Sequence, residues 1–360
     1  MGWKPGVALA AVWLVLACAP APPPAADPLV DYLDQAVRTE RFRGAVEVSR
    51  GGEILLRQGF DQSDTTTGKR NGPDTRFRIA SMTKQFTGLA VLMLQEQGKL
   101  RVTDPVCDHL PSCPPQWRPI TIDQLLTHTA GLYNYTDSLL KNRAEFVTAI
   151  GSEHPTPAQL VTSFADRPLE FPPGSRTKYS NSGYVLLGYL IEHVSGDSYG
   201  DFLRREIFDP LGMSDTGYEP GPKPDMRYAT GYEDWTTPSP VFDDAVWFAA
   251  GGLYSSVTDL SLWQQFLLTG SPSITKPGTL AELLRPRVAL APTQWYGYGI
   301  AIHGTPTGVQ YYHHAGGIPG FSSYGEIHPD TGISVTVLSN VDIGVDQFGR
   351  TLASLVPPQD

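Results

Sequence analysis

No apolar run in this sequence is long enough to cross a bilayer. The one long run, Gly6–Ala17, has twelve residues, against roughly 20 for a spanning helix, which excludes a multi-pass membrane protein. Basic residues are in deficit, 27 Lys and Arg against 37 Asp and Glu, for a net charge of −10. No Lys/Arg stripe offsets that balance, and phosphate neutralisation supplies most non-specific nucleic-acid affinity, so no nucleic-acid partner is expected. Internal repeats are missing, and so is Gly-x-Ser-x-Gly, the signature of a nucleophile on a strand–turn–helix elbow. What is present is ordinary globular composition: 41% hydrophobic residues over 360 positions. That excludes disorder over most of the chain and suffices for one large domain or two smaller ones.

The N-terminus carries a basic start, Met1–Lys4, the apolar stretch GVALAAVWLVLA, and then Cys18. Residues 1–17 read as a secretory signal. Val15-Leu16-Ala17-Cys18 resembles a bacterial lipobox, so lipidation of Cys18 is expected; an ordinary signal peptide that happens to contain a cysteine is the alternative. Residues 18–27 are a Pro/Ala-rich tether. As extended polyproline at about 3 Å per residue it holds a domain roughly 28 Å from a membrane. Acyl chains on Cys18 would be the only membrane contact. By analogy with lipoprotein sorting, Ala19 after Cys18 points to the outer membrane, facing the periplasm. The other two cysteines, Cys107 and Cys113, lie in CDHLPSC. Export favours a disulfide between them, worth about 2 kcal/mol for so short a loop. Two free thiols, or a metal site through His109, are the alternatives; a structural metal site needs four ligands, and no fourth is nearby.

From Pro28 the pattern is helix, then the hairpin GAVEVSR–GG–EILLRQG. Helical patterns broken by Pro and Gly dominate from 81 to 245. Strands return as GYGIAIHG, QYYHHAG, FSSYGEIHP and ISVTVLSN, with Asp330-Thr331-Gly332 turning before the last. A helix over Asp346–Leu355 closes the chain. Strands at both ends imply an α+β fold over 28–360: an antiparallel sheet from the N- and C-terminal segments (about 28–80 and 246–360), flanked by helices, with a helical insert of about 81–245.

Ser-x-x-Lys occurs four times, starting at Ser81, Ser138, Ser175 and Ser273. The chemistry needs the serine at the start of a buried helix. There Ser and Lys at i and i+3 touch, the helix terminus favours negative charge, and an apolar setting pushes the lysine toward its neutral, basic form. Ser81 alone precedes such a helix, with Phe86, Leu89, Ala90 and Met93 at helical spacing. Lys84 is therefore the candidate base.

Tyr-x-Asn occurs once, as Tyr179-Ser180-Asn181, where 16 Tyr and five Asn would give about 0.2 matches by chance. A phenol relays protons if a cation lowers its pKa, and Lys84 is the expected cation. Asn181 would hold Lys84 and donate to a substrate carbonyl. A structural tyrosine opening the helix GYVLLGYLIEHV is the bland alternative. Tyr312-His313-His314-Ala315-Gly316-Gly317 reads as a strand. His313 and His314 face opposite sides and cannot chelate one metal from there. The small residues suit an oxyanion wall, with the N–H groups of Gly317 and Ser81 facing the oxyanion and Gly316 allowing close approach. His314 either points into the cleft or is a core histidine. Trp295, Tyr296 and Tyr298 line the cleft or the core.

Ser81-x-x-Lys84, Tyr179-x-Asn181 and His314-x-Gly316, in that order, resemble the three motifs of the serine β-lactamase and penicillin-binding-protein superfamily. The resemblance is closest to the class C-like branch, which includes D,D-peptidases, D-aminopeptidases and esterases. FRIASMTKQFTGLAVLMLQEQGKL, LLTHTAGL, FPPGSRTKYSNSGYVLLG, AAGGLYSSVTDL and HHAGGIPGF extend it over about residues 28–345. It implies acyl transfer: Ser81 attacks a carbonyl, Lys84 and Tyr179 share acid and base roles, and water hydrolyses the acyl-enzyme. No metal or organic cofactor is implied. His-Ala-Gly stands where class C β-lactamases carry Lys-Thr-Gly, and a histidine near pH 7 is a weaker anchor for a lactam carboxylate. The expected substrate is therefore a D-amino-acid amide or peptide, or a small ester. The alternatives are a class C-type β-lactamase or a penicillin- or peptidoglycan-binding protein without turnover.

Overall fold

The computed structural model describes residues 1–3, 27–39, 42–221, 227–305 and 308–358. Residues 4–26, which hold most of the signal segment and tether and include Cys18, lie outside the described residues. Eight strands build the main sheet: β1 (Gly44–Arg50), β2 (Glu53–Phe60), β3 (Val288–Ala291), β4 (Gln294–Tyr296), β5 (Ala301–Thr305), β6 (Gly308–Ile318), β7 (Phe321–His328) and β8 (Ile333–Ser339). Five helices matter most for the site: α1 (Pro28–Arg38), α2 (Thr83–Glu96), α3 (Asn181–Ser195), α4 (Val257–Thr269) and α5 (Asp346–Leu355).

β1 and β2 form the expected hairpin, turned by Gly51 and Gly52 at φ 57° and 87°, values that a residue without Cβ adopts freely. β1 then pairs antiparallel with β8, from Gly44 opposite Ser339 to Arg50 opposite Ile333. The two ends of the domain are thus adjacent strands. The sheet order is β2-β1-β8-β7-β6-β5-β4-β3.

Strand alternation sends neighbouring side chains to opposite faces. Val46, Val48, Val335 and Val337 pack with Leu29 and Leu33 of α1 and Leu352 of α5. Ala45 and Leu338 face the other way, toward the cluster that holds Phe86 and Leu89 of α2 and Trp263 of α4. Full burial of each large apolar side chain adds about 1.5–3 kcal/mol. Both faces are covered, so β1 and β8 are buried along nearly their whole length. α2 is buried on every side from Thr83 to Leu94, which makes it the central helix.

The sheet resumes at Val288 rather than near 246. Residues 257–269 instead form α4, started by the Ser256 hydroxyl, which accepts from the Asp259 N–H at 3.1 Å. The GYGIAIHG segment is strand only from Ala301, because Gly297 turns back to donate to the Ile300 carbonyl at 2.8 Å. Between α2 and α4 the chain is largely helical, as its Pro and Gly breaks imply. Cys107 and Cys113 are joined by a disulfide, and His109 lies 2.9 Å from an Asp104 carboxylate oxygen. Tyr296 and Tyr298 are buried.

Candidate active site

Ser81 sits in a single 3-10 turn, Ala80–Met82, that runs directly into α2. The residue before it, Ala80, has φ 46°, and two other non-glycine residues beside the site, His128 and Phe248, have φ 59° and 42°. Left-handed backbone at such residues is strain that the surrounding fold has to hold. Lys84 follows one helical turn later and is fully buried. The other three Ser-x-x-Lys occurrences lead elsewhere: Ser138 meets the Tyr133 hydroxyl, Ser175 donates to Pro172, and Ser273 meets Ser271.

Lys84 Nζ has three partners: Ser81 Oγ at 3.0 Å, Asn181 Oδ1 at 2.8 Å and the Ala250 carbonyl at 2.7 Å. The last two are obligate acceptors and take an N–H each. Burial pushes the Lys84 pKa well below the ordinary lysine value. The rings of Tyr179 and Tyr184, 4.7 and 5.4 Å from Nζ, favour the cation but are weak beside full desolvation. In the neutral amine both N–H groups stay on Asn181 and Ala250, and the lone pair is left facing Ser81 Oγ. That is the geometry of a base.

Tyr179 donates its hydroxyl to Ser81 Oγ at 2.8 Å. The residue is 41% exposed, its outer edge facing the cleft, while its depth among protein atoms raises the phenol pKa above the usual tyrosine value; the Ser81 contact opposes this only in part. The expectation that Lys84 lowers the Tyr179 pKa is therefore reversed. Desolvation acts on both groups, driving the amine neutral and keeping the phenol protonated. Asn181 begins α3. Its Oδ1 holds Lys84, its side-chain amide donates to Thr136 Oγ1 at 3.0 Å, and its backbone N–H donates to Asn134 Oδ1 at 2.9 Å.

β6 forms the far wall. Its pairing with β5 ends at His313, whereas pairing with β7 continues to Ile318, so the edge over 314–318 is free of a strand on one side. A Cβ on Gly316 would stand 2.5 Å from the Ile79 carbonyl oxygen and 2.9 Å from the Ser81 nitrogen, while one on Gly317 meets open space. Only glycine lets the strand pass this close. Ser323 of β7 locks the arrangement by donating to the Ile79 carbonyl at 2.7 Å.

His313 and His314 do face opposite ways. His313 packs against Tyr311, Tyr324 and His303. His314 is buried, with Nδ1 2.6 Å from the Ala315 carbonyl and Nε2 3.1 Å from the Tyr296 hydroxyl. Burial depresses its pKa to about 3. It is a neutral ring turned under Tyr296, and presents no cation to the cleft. Beside Tyr179 a cavity of about 480 Å³ opens, lined by His128, Arg176, Thr177, Tyr179, Ala289, Leu290 and Tyr296.

Sequence reasoning missed Thr136, Ala250 and His128 as members of this site. Thr136 acts through a tertiary contact that leaves no local signal; His128 lies in the LLTHTAGL segment and Ala250 in AAGGLYSSVTDL, but neither segment shows that these groups reach the site.

The beta-lactamase family model matches residues 29–355. The chain is 30% identical over 264 residues, 70% of its own length and 61% of the relative's, to a teichoic acid D-alanine hydrolase of Staphylococcus aureus. It spans 56–64% of the length of the curated relatives it matches. Among solved structures, a penicillin-binding protein from Bacillus halodurans matches with a TM-score of 0.81 at 26% identity, covering 92% of this chain and 99% of that one. D-amino acid amidase from Ochrobactrum anthropi SV3 matches with a TM-score of 0.73 at 26% identity, covering 91% and 95%. On the family match and the shared fold, this chain belongs to the beta-lactamase family, in the superfamily of β-lactamases and penicillin-binding proteins.

Proposed function

We propose that the protein hydrolyses D-amino-acid amides or peptides, or small esters, through an acyl-enzyme on Ser81, as a class C-like member of its family. The observation that carries this reading is the convergence of Lys84 Nζ and Tyr179 Oη on Ser81 Oγ, at 3.0 and 2.8 Å, with the other two N–H directions of Lys84 already committed. In acylation the Ser81 proton passes to Lys84 as Oγ bonds to the substrate carbonyl carbon. The N–H groups of Ser81 and Gly317 face the oxyanion. Tyr179 gives its proton to the departing nitrogen or oxygen and regains one from Lys84. Water repeats the sequence in reverse roles and releases the acid.

Two features support this substrate class over a β-lactam. The third motif lacks a fixed cation, because His314 is buried and neutral. Among similar proteins are a D-amino acid amidase and a D-alanine hydrolase. A second reading, penicillin binding without efficient turnover, draws on the similarity to the Bacillus halodurans protein. The lipobox-like segment ending at Cys18 supports export and lipid anchoring, and Ala19 after it supports the outer membrane by analogy with lipoprotein sorting.

The deciding experiment compares kcat/KM for D-alanine p-nitroanilide, p-nitrophenyl acetate, a D-alanyl-D-alanine peptide and nitrocefin. The proposed reading requires the amide or ester to exceed nitrocefin. Faster turnover of nitrocefin makes it a β-lactamase, and a long-lived penicillin adduct with no turnover of any substrate makes it a binding protein.

A further inference from the structure

His128 holds the segment that carries Tyr179 from both sides. Its carbonyl accepts from the Lys178 N–H at 3.0 Å, and its Nδ1 accepts from the Ser180 N–H at 3.2 Å. These are the residues immediately before and after Tyr179. The imidazole also lies against the Tyr179 ring, with centroids 4.3 Å apart. The same loop extends the seam: Thr129 accepts from Gly174 and Gly131 from Glu170, each at 2.8 Å. To place both its carbonyl and its ring toward one neighbouring segment, His128 adopts φ 59°, a conformation costly for a residue with Cβ. It is 4% exposed, and its Nε2 has no hydrogen-bond partner. Strain and an unsatisfied ring nitrogen are both retained beside the nucleophile.

On the reading that Tyr179 moves protons at Ser81, we infer that His128 is a positioning residue that fixes the Tyr179 hydroxyl on Ser81 Oγ by clamping the backbone on either side of it. Only the neutral ring can do this, since an imidazolium has no acceptor for the Ser180 N–H. Burial holds it neutral. Asparagine keeps the essentials without adding a charge, because it tolerates left-handed backbone and places an oxygen near the Nδ1 position. Glycine keeps the backbone freedom but loses the acceptor and the ring.

The test is hydrolysis of p-nitrophenyl acetate by the full chain carrying His128→Gly, His128→Asn, Tyr179→Phe, or Tyr179→Phe together with His128→Gly. A small misplacement of a catalytic group costs on the order of 100-fold. The expected result is therefore a kcat about 100-fold lower in His128→Gly at nearly unchanged KM, recovery to within about tenfold in His128→Asn, and little further loss when His128→Gly is added to Tyr179→Phe. Full additivity of the two losses, or no recovery in His128→Asn, overturns the inference. If Tyr179→Phe itself is without effect, the proposed mechanism fails first, and that outcome is distinct.

Discussion

Lys84 Nζ lies 3.0 Å from Ser81 Oγ while two carbonyl-type oxygens, of Asn181 and Ala250, hold its remaining directions at 2.8 and 2.7 Å. An amine so placed, and desolvated on every side, serves as a base only when it can lose its proton. Arginine cannot. Lys84→Arg should lower kcat/KM for p-nitrophenyl acetate by about 10³-fold. Because the Lys84 pKa is depressed, the wild-type rate should fall as pH drops through that lowered value, and a pH profile on the intact enzyme reads this acid limb. Near wild-type turnover in Lys84→Arg would sink the assignment.

Burial of His314 has a consequence for stability. Its pKa is about 3 in the folded protein and about 6.5 in the unfolded chain. Between those values the unfolded chain binds a proton that the folded one does not. Stability therefore rises with pH across that window, and is lost as pH falls from 6.5 toward 3. His128, depressed in the same direction, adds to the slope. Urea midpoints measured from pH 4 to pH 7.5 should show the rise, and His314→Gln should flatten part of it. An unchanged slope in that variant contradicts the account.

The close passage of β6 past the nucleophile makes Gly316 sensitive. In Gly316→Ala the new methyl meets backbone at Ile79 and Ser81, so the strand has to shift. About 1–3 kcal/mol of stability should be lost, and kcat/KM should fall by more than tenfold because the shift strikes the oxyanion wall itself. Denaturation midpoints together with kinetics check both; full activity at reduced stability would show that the wall is not where we place it.

Arg176 is the charged residue lining the cavity beside Tyr179, its guanidinium 4.6 Å from the centre of the Phe171 ring. With His314 neutral, a carboxylate on the leaving group would be recognised there. Arg176→Ala should raise KM about fivefold for a D-alanyl-D-alanine peptide, the scale of an exposed charge contact, and leave D-alanine p-nitroanilide unaffected. Equal changes for both substrates would remove Arg176 from this role.

Anchoring is tested separately from chemistry. Cys18→Ser should move the exported protein from the membrane fraction to the soluble fraction, as read by fractionation and intact mass. Retention in the membrane would count against lipid attachment at Cys18.

Much of the frame was legible because it is written in local pattern. The β1–β2 hairpin follows from alternating residues around Gly51-Gly52, and α5 begins and ends where its periodicity predicts, at Asp346 and Leu355. Ser81, Lys84, Tyr179 and Asn181 were found by motif and context, and the fold brings them into one hydrogen-bonded cluster. Other features depend on the packed molecule. β3 and β4 are strands of four and three residues at the sheet edge, too short to show a period. The Ala250 carbonyl is a backbone acceptor, and any residue supplies one. The direction of the Tyr179 shift depends on how deeply the cleft is set, and no spacing in the sequence encodes depth.

The most direct measurement is rapid-quench intact mass and peptide mapping during p-nitrophenyl acetate turnover, with wild type and Ser81→Ala in parallel. The account predicts an acetyl group on the peptide containing Ser81, and neither adduct nor turnover above background in Ser81→Ala. An acetyl group on another residue, or undiminished hydrolysis by Ser81→Ala, would contradict it.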